Sequence, residues 1–219
     1  MTQENRPQSL PLYQRIAHAL PDAVTAGIFL YAWIAPLHWR DTLVAELLLV
    51  MLIEFILVHS APFLGGIVTA SHVALVTRLK VFTGLALFYS LFIGVFAIQF
   101  ESWLPVLAFV WLIAAKLISI FSDRHHTERQ KQRIRIYWGL SFSYYLIAVL
   151  ATQIVPVPEF GLTQHGSAYG ILSISGAWVS HPNTVIAAGF LYFASLTATK
   201  LFEQPAWWSY VDQNAIKKD

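Results

Sequence analysis

Apolar residues gather in long runs separated by short polar stretches, near residues 23–39, 42–59, 81–100, 102–122, 136–155 and 183–201. A helix rising ~1.5 Å per residue needs about 20 mainly apolar residues to cross a hydrocarbon core about 30 Å thick. The 23–39 run is the short one, with Pro36 close to its end; the other five meet or approach the required length. Pro105 falls in the first turn of the fourth run, where a missing backbone N–H costs little. The pattern predicts an all-α fold, a polytopic integral membrane helical bundle of about six transmembrane helices. It reads as a single membrane domain over 1–219, with an interfacial segment 1–22, a bundle over 23–201 and a cytoplasmic tail over 202–219.

Residues 61–77 (APFLGGIVTASHVALVT) carry no charge and have nearly the length of a seventh span. Pro62, Gly65 and Gly66 are expected to break a helix there, and a full crossing would put Arg78 and Lys80 on the wrong side. The segment is therefore read as interfacial or re-entrant on the cytoplasmic side. The 160–180 loop, with Tyr169 and Ile171 among glycine and serine, is read similarly on the outer face. From Ser9 to Leu20, Leu12, Ile16 and Leu20 recur at i, i+4, i+8, which suits a helix lying on the membrane surface. A short echo links Pro21-Asp22-Ala23-Val24, with Gly27 and Tyr31, to Pro182-Asn183-Thr184-Val185, with Gly189 and Tyr192.

Composition agrees with the pattern. The chain is 57% hydrophobic and 12% charged, against about 25% charged in soluble domains. Of the 14 Lys and Arg, twelve fall in segments on one side; only Arg40 falls on the other, and Lys116 lies inside a span. The positive-inside rule then puts both termini and the basic 123–135 loop in the cytoplasm and the 156–182 loop outside. A bacterial-type inner membrane is the expected location. The first 20 residues lack the features of a cleaved secretory signal, so the 23–39 run is expected to remain in the mature protein. With no cysteine, disulfides and thiolate metal sites are excluded. The net charge of +2 gives no reason to expect a nucleic-acid partner.

Ionisable groups at membrane depth are expensive and often functional. Glu46 and Glu54 lie in the second run, with His59 at its end, and Lys116 lies in the fourth. Counting from Thr42 and Ser102, Glu54 is roughly 18 Å and Lys116 roughly 21 Å down, so the two are expected to face each other as an ion pair. Glu46, one turn from the outer end near Arg40 and Asp41, reads as interfacial. His59 and His72 flank the Pro/Gly segment, and His125-His126 sits in the basic loop. Neither pair has the spacing of a haem or metal site, and no cofactor is expected. His165-Gly166-Ser167 has no nucleophile elbow around it, and neither a metalloprotease nor a phosphate-loop motif occurs. Ala86, Ser90 and Gly94, and Ala194 and Ala198, form small-residue ridges suited to close helix approach.

The leading expectation is a non-catalytic membrane protein, an accessory or assembly subunit whose partners are the lipid bilayer and another membrane protein. The alternative is a small proton- or ion-coupled transporter or channel using Glu54 and Lys116, with Glu46 and His59. An intramembrane haem or metal protein comes third.

Overall fold

The computed structural model describes residues 11–69, 73–99, 103, 106–107, 109–111, 113–114, 128–163 and 177–202. Among them every regular element is a helix: α1 (Leu12–Ile34), α2 (Leu43–Thr69), α3 (Leu75–Gln99), α4 (Glu128–Ile154), the single turn α5 (Ala177–Ser180) and α6 (Pro182–Leu201). The described residues of the 102–122 run between Val106 and Ala114 are helical as well. Among the described residues, three helices contain stretches long and apolar enough to cross a membrane: Leu43–Leu64, Leu75–Val95 and Pro182–Leu201. That is fewer than the six runs of the sequence. Polar positions interrupt α1 at Arg15, His18 and Asp22, and α4 opens on ERQKQRIR.

Two boundaries differ from expectation. Surface helix and first span are one helix, α1, running through Pro21 and ending at Ile34 rather than near 39. The stop has a local cause. Ala35 precedes Pro36, whose ring disfavours helical backbone before it, and Ala35 sits at φ −138°, ψ 63°. The second difference concerns the helix break expected within 61–77. Pro62, Gly65 and Gly66 do not break α2, which continues to Thr69, and residues 75–77 already belong to α3. A proline inside a helix leaves the carbonyl four residues earlier without its N–H partner. Here that carbonyl belongs to Val58, and the Trp138 indole N–H donates to it at 2.7 Å. A side chain from α4 thus repairs the ladder that Pro62 interrupts. His72, residues 100–102, Lys116, His125, His126 and 164–176 lie outside the described residues, as do 1–10 and 203–219.

The core gathers around α6. Phe29 and Ala32 of α1, Val44, Leu48 and Met51 of α2, Tyr145 and Ala148 of α4, and Val185, Ile186 and Tyr192 of α6 form one buried cluster. Asp22 meets Lys200 and Phe29 meets Gly189, so α1 and α6 run antiparallel. The pairs Met51–Tyr145 and Val58–Trp138 show the same for α2 and α4. Helices α1 and α6 approach closely because Gly189 has no side chain: the Phe29 ring, fully buried, lies where a Cβ would be.

Helix α3 leans on α2 through two small clusters, Ile56 with Ile93 and Phe109, and Leu64 with Phe82. Its far side is apolar and open, with Leu87, Leu91 and Ile98 exposed by 67%, 68% and 80%. A continuous apolar surface of this kind suits hydrocarbon and is rare against water.

One loop is tied down at the other end of the bundle. The Trp33 indole donates to Pro158 O at 2.8 Å, the Asn183 amide to Val157 O at 3.0 Å, and Gly161 N–H to Trp33 O at 3.1 Å. Leu162 is buried beneath, and an added Cβ at Gly161 would collide with Ile34 O and Pro36 Cδ. Residues 155–163 therefore bridge the end of α1 and the start of α6.

Candidate functional site

The polar groups inside the bundle converge where α2, α4 and α6 meet. On α2, Met51, Glu54 and Val58 fall at i, i+3 and i+7, one face of a helix. Ser141 and Tyr145 on α4 fall at i, i+4 and turn toward that face. Helix α6 contributes Tyr192, which is fully buried. The Tyr192 hydroxyl donates to Glu54 Oε1 at 2.6 Å, and Ser141 Oγ lies 2.7 Å from the same hydroxyl. A phenol has one O–H. With that proton committed to Glu54, Ser141 is the donor to the Tyr192 oxygen, and a directed chain runs Ser141→Tyr192→Glu54. Protonation of Glu54 allows every bond in the chain to reverse. Next to it, Tyr145 donates to Met51 O at 3.0 Å, and its ring meets Tyr192 edge-on at 5.4 Å.

A second charged group lies further along α6. Lys200 Nζ and Asp22 Oδ2 form an ion pair at 2.5 Å, with side chains 32% and 15% exposed. Lys200 is in the last turn of α6, where the helix dipole favours a cation. Tyr144 and Thr199 share a hydrogen bond of 2.9 Å beside the pair.

The residues expected from sequence separate into different environments. Glu54 sits at the centre of the network, with Tyr192 as its hydrogen-bond donor. Its expected partner Lys116 lies outside the described residues. The 106–114 stretch packs through Phe109 against Ile56, two residues or about 200° around α2 from Glu54. Glu46 belongs to the helix entrance: it pairs with Arg40 at 3.3 Å and accepts from Thr42 Oγ1 at 2.9 Å. Arg40 in turn lies over the Trp39 ring, 5.4 Å from its centroid. His59 sits between Phe55 and Phe142, at ring distances of 5.0 and 5.5 Å, and its buried Nδ1 has no hydrogen-bond partner among the described residues. Among the described residues no three His, Asp or Glu side chains come together as a metal site.

Sequence reasoning passed over Tyr192, Ser141, Tyr145 and the Asp22–Lys200 pair. A signal for the tyrosines existed, since a phenol in an apolar run needs a partner when buried. Lys200 read as one more cytoplasmic charge and Asp22 as part of a short echo. Nothing in the linear order ties residue 22 to residue 200. Comparison with known proteins finds no family model, curated protein or solved structure that matches this chain.

Proposed function

We propose that this is a six-span inner-membrane protein with both termini in the cytoplasm, and that its bundle interior carries protons through Glu54. The observation behind this reading is the Ser141–Tyr192–Glu54 chain, whose hydrogen bonds can reverse direction when the carboxyl group gains or loses a proton. A carboxylate at such depth, held by a neutral hydroxyl, is suited to taking up and releasing a proton. The function that follows is that of a small proton-coupled carrier or channel. In proteoliposomes containing a trapped pH dye, an imposed gradient should drive proton uptake that Glu54→Gln abolishes and Tyr192→Phe slows. Uptake equal to that of empty vesicles would sink the proposal. Orientation is tested by Glu159→Cys in this cysteine-free chain, which should react with impermeant reagents only from outside.

A second reading, an accessory or assembly subunit, draws on α3. Its outward face carries large apolar residues, and an added Cβ at Gly94 would meet no atom within 4 Å among the described residues, which leaves that close-approach position open to a partner helix. A stoichiometric partner retained in mild detergent, and lost with Gly94→Leu, supports that reading.

A further inference from the structure

We propose that the groove along the open face of α1 binds one phospholipid with an ammonium-bearing headgroup, its acyl chain on the helix and its phosphate on Arg40. The inference needs only a membrane setting and stands apart from the proton-carrying reading of Glu54. Val24, Gly27, Ile28 and Tyr31 fall at i, i+3, i+4 and i+7, one stripe of α1. The stripe is turned away from Ala26 and Phe29, which are buried in the core. With Trp39 these residues enclose about 300 Å³, and the surface they offer is apolar. The stripe is about 10 Å long, so it suits an extended chain better than a compact solute. Gly27 is the floor: an added Cβ would meet no atom within 4 Å among the described residues.

The headgroup end is built from the turn between α1 and α2. Tyr31 and Trp39 meet edge to face at 6.4 Å and close the groove where α1 stops, and such rings favour the headgroup level of a bilayer. Arg40 Cζ lies 5.4 Å from the centroid of the Trp39 ring, so a cation stands beside the mouth of the groove. It is the only Lys or Arg between Arg15 and Arg78. Glu46 holds the guanidinium at 3.3 Å, but five N–H donors are more than one carboxylate can use, and phosphate oxygens match them well. Charge selects the kind of lipid. Arg40 is accompanied by Asp41 and Glu46, two carboxylates to one cation, so the turn repels a headgroup that is only anionic. A zwitterionic headgroup sets its phosphate against Arg40 and its ammonium against the carboxylates. A protein helix laid in the groove would cover the apolar stripe and leave these charges without a use.

The test places the whole protein in vesicles of equal phosphatidylethanolamine and phosphatidylglycerol, with a trace of either lipid carrying a photoreactive group on its acyl chain. Labelled residues are mapped by mass spectrometry, and the open face of α3 around Leu87 and Leu91 reports ordinary lipid contact. The ethanolamine lipid should label the α1 stripe more strongly than α3. It should also exceed the glycerol lipid there by about tenfold or more, the scale of a hydrogen bond to a charged group. Arg40→Gln should remove that preference, and Glu46→Gln should shrink it by raising the yield with the glycerol lipid. Gly27→Leu, which fills the groove, should remove the labelling of α1 and leave that of α3 unchanged. If a variant fails to fold, the comparison of the two lipids on the unaltered chain still decides the matter. Equal labelling of the stripe by both lipids, or labelling no stronger than on α3, would overturn the site. A stripe shielded from both lipids and cross-linked to a second chain would overturn it as well, by showing a protein in the groove.

Discussion

Gly189→Ala tests the packing that brings Tyr192 to Glu54. A Cβ built on Gly189 would lie 2.5 Å from Phe29 Cδ1 and 2.7 Å from Cζ, and closer still to Cε1. Carbon atoms need about 3.5 Å or more, so α1 and α6 must part by ~1 Å or the ring must turn. The ring has little freedom to turn, since Phe29 is fully buried and stacks on Phe193 at a centroid distance of 5.7 Å. Overpacking of this kind costs about 1–3 kcal/mol, which for a chain of this size lowers the melting temperature by about 2–12 °C. The control is Gly27→Ala on α1, where a Cβ meets nothing within 4 Å among the described residues and should cause no loss. Melting in detergent, followed by circular dichroism, compares the two. Phe29→Leu should relieve part of the Gly189→Ala penalty, because it removes the ring the methyl group strikes. The displacement should also disturb the Tyr192–Glu54 bond three residues on, visible as a shift of the phenolic C–O stretch. Equal stability of the two glycine variants would refute the close approach.

Three other expectations follow from contacts that few residues make. Trp138→Phe should cost about 1–3 kcal/mol by stranding the Val58 carbonyl. In a Pro62→Ala background, where the backbone N–H returns, the same change should cost measurably less; additive losses in a double-mutant cycle would refute the repair. Tyr192→Phe should destabilise more than Glu54→Gln, since it leaves both Ser141 and Glu54 without a partner whereas Gln still accepts from the phenol. The reverse order of melting temperatures would count against the chain as drawn. Gly161→Ala should loosen the 155–163 loop and speed its proteolysis, because the added methyl would strike Ile34 O; unchanged cleavage would show that the loop is not pinned there.

The helices long and apolar enough to cross a membrane were legible in the sequence alone, because long apolar runs are visible residue by residue. The helices over 42–59, 81–100, 136–155 and 183–201 appear with shifted ends for the same reason. Where prolines act was decided by tertiary structure. Pro62 reads as a helix breaker until α4 places Trp138 against the stranded Val58 carbonyl, a contact 80 residues apart in sequence. The candidate site divides in the same way. Glu54 was legible because a carboxylate in an apolar run is conspicuous at once. Its partner Tyr192 was not, being 138 residues away, and neither was the separate Asp22–Lys200 pair, whose members are 178 apart. Depth along a helix can be counted from a sequence, but azimuth and neighbour cannot. Depth alone points from Glu54 to Lys116, which lies outside the described residues, whereas the donor from Tyr192 is supplied by the packing of α6 between α1 and α4.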